Sequence, residues 1–191
     1  MKQQPFFKSS TSGFTMLEVL VVIILIGVLF AIAAPNWVVF LNNQRANAAR
    51  NQITQMLRDA QAQAKRTKVH RAVVVHNTNN NELRIAIDPV TQKTDEYEPD
   101  PQKIGNWETL GNGVVQPGLL ELLVNGTPLK NAAQFIVFDN YGNVSTNTKG
   151  GQPGEFILTV KPTGSINPRR CVAVQTLMGA LREGSNNECN N

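Results

Sequence analysis

The chain has 191 residues, which is enough for one membrane anchor and one modest globular domain. The formal net charge is +4, and because Lys2 and Lys8 both precede Gly13, the rest of the chain carries only about +2, a weak attraction for nucleic acid. Aromatic residues make up 6% and asparagine and glutamine are frequent, a composition typical of a polar secreted surface rather than of a large catalytic core.

The N-terminal region places a single acid at the start of a membrane-length apolar run. The sequence Gly-Phe-Thr-Met-Leu-Glu at 13–18 directly precedes the apolar residues 19–34. An acidic side chain inside a bilayer costs roughly 2.5–3.5 kcal/mol on insertion scales, so Glu18 requires a partner. Cleavage after Gly13 would supply one, because the new amino group of Phe14 would lie about one helical turn from Glu18.

The residues before Gly13 differ from a secretory signal peptide. They are basic and polar, and the apolar stretch follows the expected cleavage point instead of preceding it. A small-residue site at Ala31-Ile32-Ala33 is the alternative cleavage point. Cleavage there would release a soluble protein and would leave Glu18 without a role.

This stretch resembles the class III leader of type IV pilins and of the pseudopilins of type II secretion. The resemblance implies that a prepilin peptidase cleaves after Gly13 and methylates Phe14. It further implies a single-pass protein of the bacterial inner membrane with its head in the periplasm, which polymerises with other pilins or pseudopilins into a pilus or pseudopilus. Glu18 would then pair with the Phe14 amine of an adjoining subunit and set the register of assembly.

A long helix is predicted over residues 15–68. Pro35 is expected to kink it, and beyond Asn42 apolar residues recur every three or four positions, which is the pattern of an amphipathic helix. The first half of this helix is expected in lipid, and the second half is expected to lay an alanine-rich stripe on a globular domain. The stripe consists of Ala46, Ala49, Ile53, Met56, Leu57, Ala60 and Ala64.

The remaining residues predict short strands. Runs rich in β-branched and aromatic residues, separated by Asn, Gly and Pro turns, indicate strands at 71–76, 83–87, 119–124, 135–138, 156–160 and 171–175, with a loop over 88–106. A helix followed by antiparallel strands predicts an α+β fold with the helix packed on a sheet, which is also the pilin fold. The predicted organisation is a cleaved leader at 1–13, a transmembrane and assembly helix at 14–35, an amphipathic helix at 36–68 and a β-rich head at 69–191.

The C-terminal half is similar to the GspH/FimT family of minor pilins and pseudopilins. The similarity is carried by Phe138 and Gly142 in Phe-Asp-Asn-Tyr-Gly-Asn, by the strand residues at 156–158 and 170–174, and by Gly-Ala-Leu-Arg at 179–182. It implies a minor subunit near the tip of a type IV pilus or of a type II secretion pseudopilus.

Some FimT-like proteins bind DNA during natural transformation through a Gly-Arg-x-Arg motif. The matching stretch here has Ala180 in place of the first arginine and keeps only Arg182. A DNA receptor that uses Arg169, Arg170 and Arg182 is therefore the alternative function, with Arg169 and Arg170 expected before the final strand and Arg182 after it.

The two cysteines, Cys171 and Cys189, are predicted to form a disulfide. An exported domain meets an oxidising environment, and the bond would close a loop near the C-terminus worth about 3 kcal/mol in the loop-entropy estimate. Two free thiols, or a metal pair with no further ligands, are the alternatives.

No residue pattern indicates catalysis. The sequence has no nucleophile–His–acid set, no metal-ligand spacing and no phosphate-binding glycine loop, so neither an enzyme nor a cofactor or metal is expected. The acids at 95–100 lack the spacing of a calcium loop and predict a solvated loop. The basic residues at 65–71 lie near the predicted C-terminus of the helix, where positive charge interacts favourably with the helix dipole, so they are not expected to bind nucleic acid.

Overall fold

A computed structural model describes residues 13–191 except 92, 94, 112, 114, 131, 147, 155, 190 and 191, without the side chains of 33–36. The predicted leader up to Ser12 therefore lies outside the described residues. Contacts divide the chain into two compact units, with the boundary between Phe40 and Leu41. The second unit is the globular head.

The helix α1 spans Met16–Thr67, close to the predicted 15–68. Within the head, every residue of the predicted alanine-rich stripe is buried. Small alanine side chains at Ala49, Ala60 and Ala64 let the helix backbone approach the strands, while Ile53 and Leu57 fill the space between them. The helix ends where Lys68 takes a left-handed conformation with φ of 58°, and its amide donates to Ala64 O at 3.0 Å.

In the part of the head that the structure describes, nine strands form two antiparallel sheets. They are β1 His70–Asn77, β2 Leu83–Val90, β3 Glu108–Thr109, β4 Leu120–Val124, β5 Thr127–Pro128, β6 Ala133–Phe138, β7 Phe156–Pro162, β8 Arg170–Val174 and β9 Leu181–Ser185, followed by a 3-10 helix at Asn186–Cys189. One sheet has the order β3-β2-β1-β6 and the other has the order β5-β4-β7-β8-β9. The predicted α+β architecture is confirmed.

The helix and the inner faces of both sheets share one core. Leu57 belongs to the same buried cluster as Val73 and Ile85 of the first sheet and Leu158 and Val172 of the second. The outer face of the first sheet is covered by the long loop after β2, from which Tyr97 and Ile104 pack on the sheet.

The predicted loop at 88–106 begins too early. Strand β2 continues to Val90, and Pro89 pairs with Arg71 of β1. A proline is tolerated there because β3 pairs only with Arg84 and Ile85, so that no strand among the described residues pairs with the other side of β2 near Pro89. The carbonyl of Ile87 faces that open side, where it accepts from Asn106 Nδ2 at 2.9 Å.

A further expectation is corrected at the C-terminal end of the chain. The strand β8 is not the last one, because β9 pairs with it from Leu181 to Ser185. Arg182 therefore lies within a strand and not after the final one. In addition, the helix packs on both sheets of the head.

Candidate processing and assembly site

The helix begins at a Thr-x-x-Glu sequence that stabilises its first turn. The amide of Glu18 donates to Thr15 Oγ1 at 3.2 Å, and the amide of Val19 donates to Thr15 O at 3.2 Å. Thr15 is therefore the N-cap, and Glu18 occupies the third helical position, where an acid completes the spacing of a capping box. The carboxylate also lies in the first turn, where the helix dipole favours negative charge.

Thr15 is a residue of this region whose structural role as N-cap sequence reasoning missed. The signal that could have identified it is the three-residue spacing between Thr15 and Glu18 directly before an apolar run. Within its own chain, Glu18 contributes its backbone amide to this cap, which leaves the side chain free of any described role in the head.

Gly13 is exposed and unconstrained by its own chain. A Cβ added at Gly13 would meet no atom within 4 Å, and its backbone is not in the left-handed region. The following residue, Phe14, is 81% exposed. Among the described residues, nothing in the fold demands glycine at this position.

The helix after Glu18 is apolar on all sides and exposed on all sides. Every described side chain from Phe14 to Ile32 is exposed, including Leu29 at 66% and Ile32 at 65%. Between Phe14 and Gln44, Glu18 is the only ionisable residue. A helix that is apolar around its whole circumference suits a lipid environment or the interior of a helical assembly.

The length and composition of the described helices bear on whether the chain can cross a bilayer. Among the described residues no single helix qualifies as a span, but the segments Met16–Ile32 and Trp37–Thr67 qualify together as a broken pair. The break coincides with the region of Pro35, where the sequence predicted a kink.

At the other end of the chain, Cys171 and Cys189 form a disulfide with an S–S distance of 2.08 Å. The bond ties the 3-10 helix to β8 and forms a small buried cluster with Ile157 on the outer face of the second sheet. In the same segment Glu188 Oε2 accepts from the amide of Ser185 at 3.0 Å.

The three arginines proposed for DNA binding are not brought together on one face. Val172 and Val174 point into the main core, whereas Cys171 packs on the outer face, so Arg170 and Arg182 lie on opposite faces of the second sheet. Arg170 Nε donates to Asn47 Oδ1 at 2.7 Å, and its Nη2 donates to Asn43 Oδ1 at 3.2 Å.

The other two arginines also have local partners. Arg169 Nε donates to Ile166 O at 3.0 Å. Arg182 borders a cavity of about 150 Å³ on the outer face together with Glu188, whose carbonyl oxygen accepts from Arg182 Nη2 at 3.5 Å.

The ionisable groups with shifted pKa values serve the structure of the head. Burial, followed by the hydrogen bond to Asp88, raises the pKa of the Tyr97 hydroxyl, which donates to Asp88 Oδ2 at 2.7 Å and pins the long loop to β2. Burial, followed by the charge of Arg84, lowers the pKa of His76. Within the described part of the chain, no group of three or more His, Cys, Asp or Glu side chains could hold a metal ion.

Comparison with known proteins identifies the N-terminal region. Residues 8–34 match the family described as the prokaryotic N-terminal methylation motif. Neither curated proteins nor solved structures gave a significant match to the chain. The matched residues include the capped start of the helix and its exposed apolar part, so the chain carries a prepilin-type N-terminus, which implies processing by a prepilin peptidase, membrane anchoring through the helix and assembly with other pilins.

Proposed function

We propose that the chain is a minor pilin or pseudopilin, a structural and non-enzymatic subunit of a type IV pilus or a type II secretion pseudopilus. In this role it is cleaved after Gly13, methylated at Phe14 and assembled through its N-terminal helix. The observation that carries the proposal is the exposed apolar helix from Met16 to Ile32, whose only ionisable residue, Glu18, lies in its first turn.

The apolar surface of the helix suits such a subunit both in the membrane and in the filament. Lipid chains and the apolar sides of neighbouring helices are equally compatible with exposed Val, Leu and Ile side chains, so the subunit can wait in the bacterial inner membrane, with its head in the periplasm, and then move into a filament. Glu18 is the exception to this compatibility. Its charge favours a position opposite a cationic group, and the methylated amine of Phe14 in an adjoining subunit is the partner we assign to it.

The requirement for glycine at position 13 is then external to the fold. Since the space around Gly13 is open within the chain, the demand for a small residue comes from the peptidase that must accommodate the backbone at the cleavage point. The assignment as a minor subunit rests on the sequence resemblance of the head to the GspH/FimT family. Of the residues that carry this resemblance, Phe138 is buried in the core of this chain and Gly142 lies in a turn with φ of 81°. The DNA-receptor alternative gains no support from arginines divided between two faces.

The assembly role is tested with three variants of the full chain in cells that form filaments. Glu18→Val is expected to insert in the membrane, because it removes an intramembrane charge, but to be lost from sheared filaments. Glu18→Gln removes the charge and keeps a side chain able to complete the cap, so it is expected to be lost as well. Thr15→Ala weakens the cap and keeps the charge, so it is expected to enter filaments.

The outcomes separate two roles of Glu18. Incorporation of Glu18→Val at the level of the unmodified chain would contradict an assembly role. Incorporation of Glu18→Gln together with loss of Glu18→Val would reduce that role to helix capping and would contradict the pairing with an amine. Immunoblots of filament and membrane fractions provide the measurement.

A further inference from the structure

An aromatic pair marks the end of the apolar part of the helix. The side chains of Trp37 and Phe40 are 63% and 50% exposed, and their ring centroids are 5.8 Å apart. Residues three apart lie on the same side of a helix, so the two rings form one exposed aromatic surface. Both rings belong to the first compact unit, which ends at Phe40.

The sequence changes character directly after this pair. Apolar residues continue to Leu41 and are followed by Asn42, Asn43, Gln44 and the first cation of the helix, Arg45. From Met16 to Ile32 a helix rises by about 24 Å at about 1.5 Å per residue, and the five residues across the bend to Trp37 add at most about 8 Å. The sum is close to the hydrocarbon thickness of about 30 Å. The aromatic pair therefore lies where a helix that starts at one boundary of a bilayer reaches the other boundary.

Tryptophan suits that position for a chemical reason. Its ring is largely apolar, but its indole N–H needs a hydrogen-bond acceptor, and the head-group region satisfies both requirements. We propose that Trp37 and Phe40 bind the membrane–water interface on the side opposite Phe14 and fix the depth of the waiting subunit. This inference rests on the membrane-anchored state in the proposed function, and the occupant of the aromatic surface is the bilayer interface rather than another protein.

The test measures the depth of three positions with single-tryptophan variants of the full chain. The chain has two tryptophans, so Trp107→Phe leaves Trp37 as the only one. Adding Trp37→Phe and then either Phe30→Trp or Tyr141→Trp places the probe at a residue that is 69% exposed within the apolar helix or 67% exposed on the head. Each variant is reconstituted in vesicles of phosphatidylethanolamine and phosphatidylglycerol whose lipids are brominated near the head group or near the chain end.

We expect three different quenching patterns. Trp37 should show a blue-shifted emission on reconstitution and should be quenched most by bromine near the head group. The Phe30→Trp variant should be quenched most by bromine near the chain end, and the Tyr141→Trp variant should respond only to aqueous acrylamide. If Trp107→Phe does not fold, the difference between the unmodified chain and Trp37→Phe reports the same signal, because Trp107 is then common to both.

Flotation of the vesicles distinguishes the failure of this inference from the failure of the proposed function. If the chain floats with the vesicles but Trp37 is quenched by acrylamide as strongly as the Tyr141→Trp variant, anchoring holds and the interface assignment is overturned. Strongest quenching of Trp37 by bromine near the chain end overturns it as well. A chain that does not float contradicts the membrane anchor itself, and the inference with it.

Discussion

At the scale of single residues, one glutamine holds two loops against the helix. Gln61 Nε2 donates to Gly142 O at 2.7 Å and to Met178 O at 2.8 Å, so a single carboxamide joins the loop after β6 to the loop between β8 and β9. Gly179 completes the contact, because a Cβ at that position would lie 2.7 Å from Gln61 Nε2. The turn at Gly142 is therefore fixed by the helix as well as by its own backbone.

We expect Gln61→Ala to destabilise the head by about 1–3 kcal/mol, since two carbonyl groups lose their donor. Gln63→Ala is the matched control, because Gln63 lies on the same helix, whereas the donor to Gly142 O and Met178 O is Gln61. Urea unfolding of the full chain in detergent, followed by circular dichroism, measures both. Equal midpoints for the two variants would show that the bridge contributes nothing to stability.

At the scale of secondary-structure elements, the last strand depends on its neighbours more than on its own sequence. The residues of β9, Leu-Arg-Glu-Gly-Ser, lack the β-branched and aromatic residues that favour strands. The strand is held instead by its pairing with β8 and by the disulfide from Cys171 to Cys189. A residue-by-residue reading of the sequence could not find β9, because its determinants are tertiary.

The disulfide should be closed in exported protein. We expect almost no thiol to react with an alkylating reagent before reduction and two thiols to react after it, and we expect Cys171→Ser combined with Cys189→Ser to lower the free energy of unfolding by about 3 kcal/mol. Mass spectrometry of the alkylated protein gives the count. Two alkylated cysteines in native, unreduced material would refute the bond.

DNA binding belongs to the same scale, because it depends on how two strands present their arginines. Even if Arg169, Arg170 and Arg182 all neutralised phosphates, the log–log salt slope would be about −3 on duplex DNA, and the opposite faces of Arg170 and Arg182 make a smaller slope the expectation. We predict weak, salt-sensitive binding or none in a filter-binding assay with the full chain in detergent. Tight binding at physiological salt that is lost in Arg170→Ala with Arg182→Ala would favour a DNA receptor instead.

At the scale of the whole molecule, the sequence was most informative where a pattern repeats. The alanine-rich stripe follows the helical period over several turns, and each of its members is buried, from Ala46 to Ala64. The division of the strands between two sheets has no such local signal, because an antiparallel strand has the same sequence pattern whichever of the two sheets it joins. The extension of β2 through Pro89 was missed because tolerance of proline depends on which side of the strand is open.

In the candidate site, adjacent residues in the sequence predict the site residues, whereas other subunits determine what those residues contact. Gly13, Phe14 and Glu18 were predicted as site residues from adjacent residues and an apolar run, and the match over residues 8–34 covers this region. What these residues contact in a filament depends on other subunits, so a single chain shows their exposure and the cap at Thr15 but not their partners.

The central claim is that the chain is processed between Gly13 and Phe14 and keeps the apolar helix. The intact mass of protein extracted from bacterial membranes tests it most directly, with Gly13→Asp as the blocked variant and Gly13→Ala, which adds only a methyl group in open space, as its control. We predict the loss of residues 1–13 with the gain of one methyl group in the unmodified chain and in Gly13→Ala, and an unprocessed mass in Gly13→Asp. A mature N-terminus near Pro35, or an unprocessed mass for the unmodified chain in the presence of a prepilin peptidase, would contradict the account.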